Sequence, residues 1–451
     1  MSEVPAYIGD PAIAFGSRQV GVPTGYKRTD IGVIPNEWNV TTLGEIATIR
    51  DGTHQTPDYV SVGIPFYSVE HVTSRNFSNT KFISDEEHRF LTRTCRIEKG
   101  DILMTRIGSI GDCVLVDWDV DASFYVSLAL LKIHGAFAPF IAAYSDCLAF
   151  KKEVDFHSLP SATPRKINLG PISDVRIPLP PKKSEQRAIA EALSDVDRLL
   201  KSLDALIAKK RAIKQATMQQ LLTGKTRLPG FSGVWTKRTF GNHVKFLRHG
   251  TYSRQQLTKD DTVVYLHYGD IHKSSDSFLN PSASDLPTLP SQFANTLDLI
   301  EDGDLVLVDA SEDVDGIGKS VEITDLQNQQ VVSGLHTIAA RFDKSVLVDG
   351  FKAYLQFCPP FRDHLRRLAA GTKVYATNRA HIASTVMELP SPEEQRAIAA
   401  MLSDMDSEIT ALEQRLDKTR AIKDGMMQQL LTGRVRLVEP GRKLVHEQVA
   451  P

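Results

Sequence analysis

The stretch EQRAIAEALSDVDRLLKSLDALIAKKRAIKQATMQQLLTGKTRL, residues 185–228, returns as EQRAIAAMLSDMDSEITALEQRLDKTRAIKDGMMQQLLTGRVRL, residues 394–437. Aligned without gaps, the copies share 25 identities over 44 positions at an offset of 209 residues. Ile189, Leu193, Val196, Leu200, Leu203 and Ile207 step by four and three, and Ile398, Leu402, Met405, Ile409, Leu412 and Leu416 take the same steps. An apolar residue every three to four positions is the a/d seam of a coiled coil. Start and stop signals agree. Ser391, Pro392 and Glu394 have the spacing of a capping hydroxyl, a first-turn proline and a capping-box acid. Gly224 and Gly433 stand where a left-handed cap would end each copy. Each copy therefore predicts a helix of about 38 residues, roughly 57 Å at about 1.5 Å per residue. The seam loses its apolar residue at Lys210 and Thr419; it can resume one place over, at Ile213 and Ile422, so a polar layer or a register shift is expected there. The basic run Lys209, Lys210, Arg211 and Lys214 reads as a solvated helix face. The ends of the two copies, EQRAIA and MQQLLTG, stay alike, which suggests that both meet the same kind of partner.

A long helix with one apolar seam needs something to pack against. A self-dimerising coil would do, but the copies differ in charge and the insert between them is domain-sized. An antiparallel pair within one chain fits better. The segments ahead of each helix are also related, though weakly. GVIPNEWNVTTLGEIATIRDGT (32–53) parallels GFSGVWTKRTFGNHVKFLRHGT (230–251), with Trp38 over Trp235 and Gly44 over Gly241. EKGDILMTRIG parallels EDGDLVLVDAS, and SATPRKINLGPI parallels AGTKVYATNRAHI. Short β-branched runs broken by Gly-Asp and Gly-Thr predict mixed domains with many short strands. The fold class expected is α+β: two mixed α/β domains separated and joined by two long helices that form an antiparallel intramolecular coiled coil, a pseudo-two-fold repeat. The boundaries read as a loose arm at 1–25, a first domain at 26–181, a central helix at 182–225, a second domain at 226–390, a distal helix at 391–434 and a tail at 435–451.

The 451 residues, 41% hydrophobic and 24% charged, suffice for two or three cores. No apolar run approaches a bilayer's thickness, so no membrane association is expected, and the first 25 residues lack the basic start and apolar stretch of a signal peptide. Cys95, Cys113, Cys147 and Cys358 are scattered and form no C-x-x-C, which argues against a disulfide framework or zinc site and fits a reducing cytoplasm. The net charge of −2 gives no sign of nucleic acid. Residues 26–180 carry 16 basic and 19 acidic side chains, 226–390 carry 17 and 19, and 182–225 carry 10 and 5. Any nucleic-acid face must therefore come from local clustering.

The motifs of an engine are missing. There is no G-x-x-x-x-G-K-[ST] phosphate loop, no H-E-x-x-H and no N/D-P-P-Y/F tetrapeptide. GSIGD at Gly108 reads as a turn, and ASEDVDGIG at Ala310 lacks the EF-hand pattern and reads as a polar loop. His54, His71 and His88 have no metal-ligand spacing, so no metal is expected. What remains is polar and aromatic loop material in matching places. RDGTHQTPDY and GIPFYSVEHV in the first domain answer RHGTYSRQQL and VVYLHYGDIH in the second. Arg, Gln, Asn, Ser and Thr are the side chains that read base edges in the major groove; each loop alone could equally be an ordinary solvated one. The DNA-binding candidates are Thr53, His54, Gln55, Thr56, Tyr67, Ser68, Arg93, Arg96, Arg106, Ser109, Thr163, Arg165 and Lys166, then Arg248, Tyr252, Ser253, Arg254, His267, Tyr268, Ser311, Lys373 and Tyr375. Basic clusters at Arg89, Arg93, Arg96 and Lys99, at Lys245, Arg248 and Arg254, and at Arg362, Arg366 and Arg367 could meet phosphates, which position a protein without specifying sequence.

The doubled EQRAIA…LLTG pattern after a Pro-rich break, together with GTHQTPDYVSVGIPFYSVEHV, GDILMTRIGSIG, HYGDIH and DASEDVDGIGKSVEI, resembles the specificity subunit of type I restriction–modification enzymes over about residues 26–437. The resemblance implies two target-recognition domains, each reading one half of a split double-stranded DNA site, and two helices that pack antiparallel and fix their distance. It implies two methyltransferase subunits docked on that frame and translocase–endonuclease subunits joining for cleavage. S-adenosylmethionine, ATP and Mg would sit on those partners, leaving this chain non-catalytic and cofactor-free. Competing readings are a stand-alone DNA-modifying enzyme and a coiled-coil scaffold with no DNA role.

Overall fold

A computed structural model describes residues 22–159, 161–274, 276–314, 316–371 and 374–437. It divides into two compact units. The first runs through Ser202 and resumes at Leu416; the second is Leu203–Arg415. The central helix, Lys183–Leu221, and the distal helix, Pro392–Leu430, are each 39 residues long. Each begins in one unit and ends in the other, so each unit holds the start of one helix and the finish of the other. The distal helix opens with the Ser391 hydroxyl accepting the Glu394 N–H at 3.3 Å. Gly224 and Gly433 adopt φ of +68° and +70°.

The seam is visible in the burial. Ile189, Leu193, Leu203, Ile207, Ile398, Leu402, Ile409 and Leu416 are buried; Val196, Leu200, Met405 and Leu412 are half-buried. Ile213 and Ile422 do not resume it: they are 42% and 49% exposed. The heptad phase is kept instead. Seven residues after Ile207 comes Lys214, and seven after that Leu221; seven after Leu416 comes Lys423, and seven after that Leu430. A lysine fills the inward place by laying its stem along the seam while its ammonium meets a carboxylate. Lys214 pairs with Asp406 in the second unit, and Lys423 pairs with Asp197 at 2.7 Å in the first. The break is thus a polar layer without a register shift. Within the rest of the basic run, Lys210 and Arg211 reach Glu408 and Glu413 of the distal helix.

The two domains share a topology. In the first, an antiparallel sheet runs in the order Ala47–Asp51, Leu128–Ile133, Ile102–Thr105, Cys113–Leu115. In the second, Val244–Phe246, Thr337–Phe342, Leu305–Val308 and Ser320–Ile323 take the same order, with Phe278–Leu279 added parallel at the edge. A second, three-stranded sheet also recurs. Lys81–Ile83, Ile64–Tyr67 and Ser123–Phe124 match Thr288–Leu289, Val263–Leu266 and Gln330–Ser333, the centre strand pairing parallel with the last each time. The weak sequence parallels are therefore one fold used twice. The inner strands ILMT and LVLV are buried at every position, which is why they read as short apolar runs rather than alternating ones.

The helix ends complete the domain cores. Ile189, Ala190 and Leu193 join Leu430 and Leu431 in the core that holds Trp38 and Phe140. Ile398, Ala399 and Leu402 join Leu221 and Leu222 in the core that holds Phe240 and Phe351. Just before these residues, Gln186 accepts the Phe137 N–H at 2.7 Å and donates to the Pro180 carbonyl at 2.7 Å. Gln395 accepts the Val348 N–H at 3.1 Å and donates to the carbonyls of Val346 and Pro390. Glu185 receives Arg436, and Glu394 receives Arg227, in matching pairs. Each arginine lies over a tryptophan, Trp38 at 5.9 Å and Trp235 at 5.6 Å. The alike ends of the repeat need no outside partner to explain them: in each unit the start of one copy binds the finish of the other.

Candidate nucleic-acid interface

In the first domain one buried guanidinium gathers four loops. Arg106 follows the strand Ile102–Thr105 and is 7% exposed. Its Nη1 donates to Asp51 at 3.0 Å and to the Val126 carbonyl at 3.3 Å, and its Nε donates to the Ile167 carbonyl at 3.2 Å. Thr53 forms a parallel bridge with Tyr125, Ile107 bridges to Lys166, and the Gly108 N–H donates to the Arg165 carbonyl at 2.8 Å. Gly52 admits no side chain: a Cβ there would lie 2.0 Å from the Phe124 carbonyl oxygen. This framework leaves His54, Gln55, Thr56, Ser109, Thr163, Arg165 and Lys166 exposed on loops tied to one another, with Thr53 and Tyr125 half-buried among them.

Two candidates of this domain are not available to a ligand. Tyr67 is 4% exposed and packs edge-on against Phe77, because its strand is the centre of the small sheet. Arg106 positions the loops and cannot reach beyond them. Ser68 is half-buried and caps the helix Val69–Ser74 with its hydroxyl on Glu70 and His71. Arg93 and Arg96 lie exposed on the segment after the helix Asp85–Leu91.

The second domain builds the same arrangement from other side chains. The Tyr265 hydroxyl accepts the N–H groups of Tyr252 and Leu335, each at 2.9 Å, and donates to the Tyr252 carbonyl. Asp309, in the place that Arg106 holds in the first domain, pairs with His336 at 3.2 Å. Strand Ala310–Ser311 pairs with Tyr375–Ala376, and the Thr377 N–H donates to the Asp309 carbonyl. Tyr268, 37% exposed, stands edge-on to His336 and His272. Arg248, Ser253 and Arg254 are exposed or half-buried beside them, and Tyr252 and Tyr375 are half-buried.

Here too the structure withdraws candidates. His267 is buried and caps the helix Tyr268–Lys273 through the Gly269 N–H. Burial, with Arg254 nearby, holds its imidazole below the ordinary histidine range. Burial and then Arg379 do the same to His249. Ser311 is buried and accepts the Asp313 N–H. Lys373 lies outside the described residues.

The arginines are mostly already paired: Arg96 with Asp121, Arg165 with Asp155, Arg248 with Asp298, Arg254 with Asp270, and Arg362 with Asp363. This local pairing explains how basic clusters coexist with near-zero net charge. A guanidinium carries five donors, so a carboxylate on one edge orients it and leaves others for a ligand. Sequence reasoning missed Asp51, Tyr125, Asp309, His272 and His336. Their partners are far away in the chain, and nothing local marks them. Among the described residues no three His, Cys, Asp or Glu side chains gather as metal ligands, and no helix is long and apolar enough to cross a membrane.

Comparison with known proteins bears on these loops. Residues 35–210 match the family described as Type I restriction modification DNA specificity domain. The chain is 25% identical over 440 residues to a Methanocaldococcus jannaschii protein described as the type I restriction enzyme MjaX specificity subunit, covering 91% of this chain and 97% of that one. It is 23% identical over 434 residues to the MjaVIII specificity subunit of the same organism, covering 90% and 94%. In fold it is similar to the S subunit of a type I restriction–modification system from M. genitalium, at a TM-score of 0.55 and 14% identity over 87% of this chain and 96% of that one. A chain from a structure of type I restriction–modification complex assembly gives 0.54 and 14% over 89% and 99%. By sequence along nearly its whole length the chain is thus similar to type I restriction–modification specificity subunits, and residues 35–210 match the DNA specificity domain described for those systems.

Proposed function

We propose that each loop cluster reads one half of a split, asymmetric double-stranded DNA site, and that the two helices set the spacer between the halves. The observation that carries this is the repeat of one loop framework with different side chains on it. The loops of the first domain carry His54, Gln55, Thr56, Arg165 and Lys166, and those of the second carry Ser253, Arg254, Tyr268 and His336. Polar donors and acceptors on different patterns select different base edges, so the half-sites differ. Half-site centres one helical turn apart lie roughly 34 Å from each other. A 39-residue helix spans about 58 Å, ample for a spacer of that order.

In this reading two methyltransferase subunits dock on the helical frame and methylate adenine, and translocase–endonuclease subunits join for cleavage, in the cytoplasm. S-adenosylmethionine, ATP and Mg belong to those partners, and this chain contributes recognition alone. Exchanging residues 26–180 for those of a relative with another specificity is expected to change one half of the methylated site and leave the other intact. Genome-wide N6-methyladenine mapping reads this directly, and a change in both halves would refute independent reading. Removing one heptad from the drifting middle of each helix, within 198–208 and 407–417, is expected to shorten the unspecified spacer with both halves unaltered. An unchanged spacer in the same mapping would sink the helical ruler.

A further inference from the structure

We infer that the segment 89–96 of the first domain is a second DNA-contact surface: Phe90 makes apolar contact with the sugar and base edge of a nucleotide flanking the half-site, and Arg89 and Arg93 hold its phosphates. The inference rests on the DNA reading proposed above. Phe90 is 66% exposed, one of two phenylalanines of this domain left largely in water, the other being Phe156. Its placement is firm. The helix that carries it, Asp85–Leu91, is pinned by buried His88, whose ring contacts Ser123 at 2.9 Å and Asp121 at 3.1 Å. Phe90 and Arg93 line a recess of about 300 Å³ whose opposite wall is Asp51, Gly52 and Thr53, the root of the candidate recognition loop. The recess is therefore continuous with the loops that carry Gln55 and Thr56.

The charges around it point to a polyanion. Arg93 lies 5.9 Å from the Phe90 ring, and neither it nor Arg89 has a carboxylate partner among the described residues. Asp51 is committed to Arg106 and His54 and Asp121 to Arg96 and His88, while Asp85, Glu86 and Glu87, in the first turn of the same short helix, form no ion pair with Arg89 or Arg93 among the described residues. An exposed aromatic between two unpaired arginines matches how apolar side chains touch nucleotides while cations take the backbone. It also accounts for why the solvent-exposed side of this helix is not simply polar.

The test uses the complex with its methyltransferase subunits and duplex DNA carrying the mapped site, with a scrambled duplex as control. Phe90→Ala is expected to weaken site binding about tenfold while leaving the salt dependence unchanged. Arg93→Gln is expected to lower the slope of log K against log salt by about one, as loss of one phosphate contact does. Because both side chains are exposed, neither change threatens the fold. Wild-type binding by Phe90→Ala overturns the inference, and so does a variant that weakens subunit assembly in the absence of DNA, which would make the surface a protein contact. If the wild-type complex fails to prefer its mapped site to the scrambled duplex, the DNA reading itself falls, a result distinct from either.

Discussion

Replacing Arg436 with methionine is expected to destabilise the first unit by about 3 kcal/mol while the second unit keeps its transition. Glu185 is 7% exposed at its side chain and receives the Arg436 Nη2 at 2.9 Å as well as its Nε. The hydrogen bonds that Arg436 donates to Glu185 hold the guanidinium above its ordinary range, so the arginine stays charged. Removing one partner of a buried pair strands the other charge, which costs roughly 3–5 kcal/mol. Arg436 is itself about a quarter exposed, which sets the lower end. Its second contact, to the exposed Glu37, adds little. Pairing the change with Glu185→Gln removes the stranded charge and is expected to recover most of the loss. Trp38, under Arg436, reports this unit in urea unfolding followed by fluorescence. A single variant within about 0.5 kcal/mol of wild type would show that the latch holds nothing. Arg227→Met should affect the second unit in the same direction, since Glu394 is buried as deeply.

That latch was half-legible. The 4-3 spacing is a local property, so periodicity alone located both helices and the buried positions from Ile189 to Leu416. The partnership of their ends is not local. Glu185 and Arg436 stand 251 residues apart, and no pattern within a window links them. What the sequence did carry was the symptom: EQR at one end and an arginine three residues past the glycine at the other, twice over. The seam break misled for a related reason. Ile213 and Ile422 are apolar and adjacent to the gap, whereas Lys214 and Lys423 are charged, and hydrophobicity alone prefers isoleucine. A lysine wins the inward position only because an aspartate faces it from the other helix, which is a tertiary fact.

The candidate interface divides along the same line. Turn chemistry at Gly52, Thr53 and Gln55 marked exposed loops correctly as loops. Tyr67, Arg106, His267 and Ser311 carry the same donor-rich chemistry yet face inward. Each sits at the end of a buried strand, where polar side chains satisfy loop carbonyls and helix caps before any ligand arrives. Side-chain type cannot separate a residue that reads from one that holds the reader. Only burial and hydrogen-bond partners do so, and these depend on which loops the sheets bring together.

The second unit is expected to lose stability as the pH rises from about 4.5 to 7, through Glu322. This carboxyl is buried, accepts the Gly350 N–H at 2.6 Å and the Ala353 N–H at 2.8 Å, and so ties the strand Ser320–Ile323 to the segment that Gln395 also grips. Burial raises its pKa from 4.5 to about 7, against the pull of Lys352, 3.9 Å away. Between those values the folded chain holds a proton that the unfolded chain has released. The contribution is therefore present in full below about 4.5 and is lost as the pH climbs through 7, at about 1.4 kcal/mol per unit and about 3 kcal/mol in all. Two other groups act in this window with the opposite sign. His249 and His267, depressed by burial, favour the folded state more as the pH rises through about 6.5. Asp349 lies outside it: although burial opposes this, Lys344 and Lys352 hold it below the usual aspartate range. Glu322→Gln isolates the carboxyl, since the histidines remain in both proteins. Its amide also opposes an N–H donor to backbone N–H donors, a cost independent of pH. The difference in unfolding free energy between wild type and Glu322→Gln should thus shrink by about 3 kcal/mol from pH 4.5 to 7.5, read by urea titration. A constant difference would show that the carboxyl stays ionised in the core. Lys352→Met supplies the converse: without the cation that favours the charged form, the pH-dependent loss should extend above pH 7.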